Sequence, residues 1–348
     1  MTRRLPNCLG VLLLLPIAAS CLAIPFLHGQ NETETFFIVG DTIQSDRHLN
    51  VRTSPAGEKL GFQVDGRFGK IVDGPKLAAI NSTTYTWWNV DWEIGVDGWC
   101  ATIGIETVAI DLDHGNTQVA AMLKDRPEMA SFVDGQENRK AITKEDPIWK
   151  WVAQRFGTRV NNHKIYWDNS DVKKPDHYEA DHTIPWKNQP AQIRLRSKIR
   201  KSANEPWENQ SLGKMWSSVV FELMNVTNAG GFLRLWDQAK QGRLSRTDYV
   251  EGNQVLEYYA CIALKDFYHS RFEPWAELSG YIPNDDSRGD GFYLWIPGSY
   301  EAWISSYTDG SYNYFYTYFD DTIVPYLKKK GRFDPERHSP AKPIQAGR

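Results

Sequence analysis

Two stretches of this chain, residues 212–224 (LGKMWSSVVFELM) and 249–267, constrain its fold most strongly. Each carries apolar residues around most of a helical circumference, with one glutamate set among them. At 3.6 residues per turn, Leu212, Met215, Trp216, Val219, Leu223 and Val226 form one stripe. Val220 and Met224 widen it and Phe221 lies opposite, so the helix must be covered on more than one side. The second stretch places Tyr249, Leu256, Tyr259, Ala260, Ala263 and Phe267 together. Ser245 is its expected N-cap, with Asp248 at the third position of the first turn.

The glutamates are Glu222 and Glu257. Neither has a Lys or Arg three or four residues away, so neither has an ion-pair partner on its own helix. A buried carboxylate without a partner is costly or takes up a proton, so each needs a tertiary partner. In the structural reading, each pairs with an arginine such as Arg234, Arg243 or Arg246, or caps a buried backbone group. In the catalytic reading, the two are the acid and base of a hydrolase. The chain contains no HExxH, no GxSxG elbow, no phosphate loop and no dinucleotide fingerprint. The sequence therefore favours the structural role and implies no cofactor.

The N-terminus reads as an export signal, residues 1–23. Arg3 and Arg4 precede the apolar run Leu9 to Leu15, which is too short to span a bilayer. Cleavage near Ala23 releases a soluble chain, the favoured ending. Alternatively AASC at 18–21 resembles a lipobox, which makes Cys21 a lipid anchor. Cys100 and Cys261 then remain, in separate regions, and are expected as free buried thiols. A net charge of −3 gives no electrostatic reason for a nucleic-acid partner.

Residues 36–107 read as short strands punctuated by turn residues, the pattern of a small barrel or sandwich. Within them stand Leu49-Asn50-Val51-Arg52-Thr53-Ser54-Pro55, Gly66 and Gly69, Gly74-Pro75, Trp88-Asn89-Val90 and Gly98-Trp99. This series resembles the bacterial SH3-like (SH3b) domain. The resemblance implies a small β-barrel, and for an exported bacterial protein it implies binding of cell-wall peptides or other proteins. Residues 76–86 are longer than the usual loop, and Trp87 and Trp92 are candidate ligand-stacking residues, although strand alternation turns at least one nearby Trp inward.

Residues 108–146 read as a linker with a short helix, and 147–328 as a mainly helical domain with some β structure. The segment 171–183 holds His177, Asp181 and His182, a weak candidate metal set without zinc-motif spacing. Residues 192–200 (QIRLRSKIR) alternate as a strand with a basic outer face. Aromatic residues crowd 292–318, including Tyr293, Trp295, Tyr300 and Trp303, and 329–348 reads as a disordered basic tail. The expectation is a multi-domain chain: a small all-β SH3-like barrel, then a mainly α-helical (α+β) domain. The function expected first is an exported, envelope-associated binding or scaffolding protein, and the alternative is a hydrolase using Glu222 and Glu257.

Overall fold

A computed structural model describes residues 37–130, 147–160, 162–170, 179–185, 189–200, 204–279, 299–306 and 313–339. The expected export signal with Cys21, His177, Tyr293 and Trp295 lie outside them.

The first seven strands are β1 (Thr42–Ser45), β2 (Leu49–Arg52), β3 (Lys59–Gln63), β4 (Phe68–Ile80), β5 (Thr83–Trp92), β6 (Gly98–Ala101) and β7 (Ile105–Thr107). They form one antiparallel sheet in the order β3-β2-β6-β5-β4-β1-β7, curled into a half-barrel. Alternation along the strands turns Ile43, Leu49, Val51, Ile71, Trp88, Val90 and Ile105 inward as its core. Residues 76–86, expected as a long loop, are instead the tip of the β4–β5 hairpin, paired from Lys76 with Trp87 to Ile80 with Thr83. Asn81 and Ser82 both have positive φ, 48° and 66°, the backbone that a two-residue hairpin turn requires.

The other described residues are mainly helical around a second, larger core. Its main helices are α1 (Leu112–Asp125), α2 (Pro147–Gly157), α3 (Leu212–Thr227), α4 (Ala229–Lys240) and α5 (Arg246–Phe267). A four-stranded sheet, ordered β10-β11-β9-β8, joins β8 (Arg159–Val160), β9 (His163–Trp167), β10 (Ala180–Thr183) and β11 (Ala191–Leu195). Helix α3 packs on β10 and β11 and also on α5. That double contact explains its apolar circumference, and it buries Trp216, Val219, Val220 and Phe221 alike. Ser245 caps α5 as expected: its hydroxyl accepts from the Asp248 amide at 3.0 Å and its amide donates to Asp248 at 3.2 Å.

Three expectations are corrected here. The first concerns 108–146, where α1 is part of the helical core and not a tether: Val119 and Met122 are fully buried and Gly115 lies against the backbone of α2. The second concerns Arg194, expected on a solvated face. It is 1% exposed and bridges Asp168 at 2.7 Å and Asp181 at 3.2 Å, so its charge is neutralised inside the fold. The third concerns the expected disordered tail, 329–348, whose described residues, up to Ser339, are ordered. Asp334 caps a short turn of helix, Pro335–His338, with Pro335 at its first position. Arg337 donates to the carbonyl of Arg243 at 2.6 Å, and His338 is 1% exposed.

The Asp334 amide donates to His338 Nδ1 at 2.8 Å, so this nitrogen must stay unprotonated. Burial, then the Arg337 charge, pushes the imidazole below its ordinary pKa. A base whose folded pKa is lowered costs stability as pH falls below its unfolded value, about 6.5. The protection factors of the amides from Glu336 to Ser339, corrected for the intrinsic pH dependence of exchange, are therefore expected to fall between pH 7 and pH 5, and His338→Gln is expected to flatten that fall. Equal pH dependence in parent and variant would count against this role. Among the described residues, no helix is long and apolar enough to cross a membrane.

Candidate functional site

Among the described residues the two glutamates converge, and the partner of Glu222 is a histidine. Glu222 on α3 is 3% exposed and Glu257 on α5 is 3% exposed. Glu222 accepts a hydrogen bond from Nδ1 of His182, which projects from β10 into the core at 1% exposure. Asn225, one turn along α3 from Glu222, donates to Glu257 at 3.3 Å. The Tyr314 hydroxyl donates to the other Glu257 oxygen at 3.4 Å. Burial raises the Tyr314 phenol well above its ordinary pKa, with the Glu257 charge next and Glu222 contributing. Both carboxylates therefore act on one phenol, and a polar seam runs from β10 through α3 to α5.

The expected arginines are engaged elsewhere. Arg234 pairs with Asp65, and Arg246 holds Asp320 with two bonds of 2.7 Å. Arg243 sits in the exposed loop after α4. His182 supplies what the sequence assigned to them. A carboxylate on imidazole Nδ1 fixes the ring tautomer and leaves Nε2 as the second functional atom. Here Nε2 is buried without a hydrogen-bond partner, as is Asn225 Oδ1. The seam has the residue types of acid–base chemistry, but its carboxylates are closed to solvent.

The candidate metal set is not assembled. Asp181 and His182 are adjacent on β10, and alternation sends them to opposite faces of the sheet. Asp181 pairs with Arg194 while His182 faces Glu222. His177 lies outside the described residues, among which no group of three metal-ligating side chains gathers.

The candidate stacking residues are corrected too. Trp87 is 2% exposed and donates its indole N–H to the Ala78 carbonyl at 3.1 Å. Trp92 is 4% exposed and belongs to the half-barrel core. Neither offers a ring face to a ligand, because the β4–β5 hairpin covers one and the sheet curls over the other. Exposed aromatic surface stands instead at Trp207, 46% exposed, where the Arg200 guanidinium lies 4.8 Å from its ring. The two remaining thiols are free and buried, and burial raises Cys100 to about 12.

The largest concavity found among the described residues was not legible in the sequence. A groove of about 1280 Å³ runs between the half-barrel and helices α4 and α5. Phe62, Val64, Leu235 and Leu256 form its apolar floor, while Arg47, Glu106, Arg243 and Glu251 stand on its rim. His48 stacks on Phe62 with ring centroids 4.2 Å apart. Gly231 and Gly252 face one another's helices across the floor: a Cβ on Gly252 would lie 2.8 Å from Leu235 and one on Gly231 3.0 Å from Leu256. The small residues let α4 and α5 approach closely beneath it.

The molecule is thus a curled antiparallel sheet followed by a helical α+β region, with a groove along their junction. No protein-family model, curated protein or solved structure matches the chain.

Proposed function

We propose that this is an exported, envelope-associated binding protein whose N-terminal module is SH3-like and engages cell-wall peptide or a protein segment. The junction groove is the observation that carries this reading. Its volume of about 1280 Å³ exceeds the roughly 300–1,000 Å³ of small-molecule pockets, which suits an extended peptide. Its rim carries both signs of charge, Arg47 and Arg243 against Glu106 and Glu251. That distribution favours a ligand with amino and carboxylate groups of its own over a uniformly charged polymer. The resemblance of residues 49–55 and 98–99 to SH3b domains points the same way.

A hydrolase is the second reading, supported by the convergence of Glu222, Glu257 and His182. It ranks lower because substrate would have to reach carboxylates that are only 3% exposed. Sedimentation of the full chain with purified cell-wall sacculi tests the first reading. The protein is expected in the pellet, and Arg243→Glu with Glu251→Arg is expected to release most of it. Retention of that variant at parental levels, or absence of the parent from the pellet, would overturn the assignment.

A further inference from the structure

A second concavity, which shares no residue with the junction groove, lies on the four-stranded sheet. It is a cleft of about 510 Å³ beside β9 and the start of β11, within the roughly 300–1,000 Å³ of small-molecule sites. The two strands run parallel there, with Tyr166 in register with Gln192. Alternation therefore puts Lys164, Tyr166 and Gln192 on one face, while Ile165 and Ile193 on the other are fully buried. Tyr166 is 37% exposed, and its ring is held in place on one side. The His114 ring meets it edge-to-face at 4.9 Å and is itself bonded to the Ile165 carbonyl at 2.8 Å.

The charges that line the cleft are already matched within the protein. Lys164 pairs with Asp111 at 2.8 Å, and Asp168 with Arg194 at 2.7 Å. Arg194 also donates to the Gln192 side-chain oxygen at 3.0 Å, which leaves the Gln192 amide nitrogen as a donor. The side chains of Asn162, His163 and Asn169, which also line the cleft, make no hydrogen bond with any described residue. The groups left over are thus three carboxamides, an imidazole and a phenol, set around an exposed aromatic ring.

A charged ligand would find no unpaired counter-charge here. A sugar ring matches the remaining groups, because its hydroxyls donate and accept as carboxamides do and its C–H face packs on an aromatic ring. An acetamido substituent adds the donor–acceptor pair that an Asn or Gln side chain complements. We propose that the cleft binds a neutral oligosaccharide bearing hydroxyl and acetamido groups, stacked on Tyr166 and held by Asn162, Asn169 and Gln192. This site stands on its own residues and does not depend on peptide binding in the junction groove.

Isothermal titration of the full chain with tri-N-acetylchitotriose, beside the cationic glucosamine trimer and the anionic galacturonic acid trimer, tests it. The neutral trimer is expected to bind saturably and both charged trimers at least about tenfold more weakly. Tyr166→Ala is expected to weaken the neutral trimer about tenfold or more, and Tyr166→Phe, which keeps the ring, to stay within about threefold of the parent. Asn169→Ala, at an exposed position after β9, is expected to lose about threefold with Tm unchanged, which separates lost contact from lost fold. No saturable binding of the neutral trimer, equal or tighter binding of a charged one, or parental affinity in both Tyr166→Ala and Asn169→Ala would overturn the proposal.

Discussion

His182→Leu is expected to destabilise the protein by about 3–5 kcal/mol, the typical loss when one member of a buried pair is removed. The reason is not the value of the hydrogen bond itself. His182 is 1% exposed and Glu222 3% exposed, so the deletion leaves a carboxylate enclosed by α3 and β10 with no imidazole and no route to water. Glu222→Gln is expected to cost less, about 1–2 kcal/mol, because the amide oxygen still accepts from Nδ1. The double variant His182→Leu with Glu222→Leu is expected to recover most of the loss, since apolar side chains of similar volume often replace a buried pair without penalty. Urea denaturation of the three variants, read by midpoint and slope, measures these differences. A His182→Leu protein within about 0.5 kcal/mol of the parent would show that Glu222 finds solvent or another partner, and the sealed seam would be wrong.

The second large effect comes from a close backbone approach. Gly115 on α1 faces α2 so closely that an added Cβ would stand 1.9 Å from the Ala153 carbonyl oxygen. That neighbour is main chain and cannot rotate away. Gly115→Ala must push the two helices apart or strain them, although alanine is otherwise the better helix former. The expected loss is about 3 kcal/mol, at the upper end for overpacking. Val119, Met122, Val152 and Phe156, all fully buried, share the interface and would open with it. An alanine variant as stable as the parent, in the same denaturation experiment, would place α1 farther from α2 than described. It would also return residues 108–130 toward the linker expected from sequence.

What could be read in advance follows from whether the signal is local. The apolar circumference of α3, the cap at Ser245 and the strand pattern between Leu49 and Ile105 depend on neighbours within a turn or two, and the structure reproduces them. The partner of Glu222 could not be read that way, because His182 is 40 residues distant and nothing near either residue marks the other. Asn225 was within reach. An asparagine one turn from a glutamate on an otherwise apolar helix needs a buried polar neighbour, and Glu257 is that neighbour. Arg194 misled because alternation tells which face a side chain takes, while its burial depends on Asp168 and Asp181 from other parts of the sheet. Trp87 and Trp92 misled for a similar reason: ring type marks a candidate platform, but hairpin length and sheet curl decide exposure. The groove arises only when α4 and α5 settle against the half-barrel, so it has no signature along the chain.

Under the proposed function this groove, and not the sealed carboxylates, is where the protein meets its ligand. Isothermal titration of a soluble cell-wall stem peptide, carrying both amino and carboxylate groups, into the full chain tests it most directly. The account predicts saturable binding with Kd of about 10–100 μM, weakened roughly fivefold or more by Arg243→Glu and unchanged by Glu222→Gln. No binding, or binding that survives Arg243→Glu and disappears with Glu222→Gln, would contradict it and move the ligand to the seam between α3 and α5.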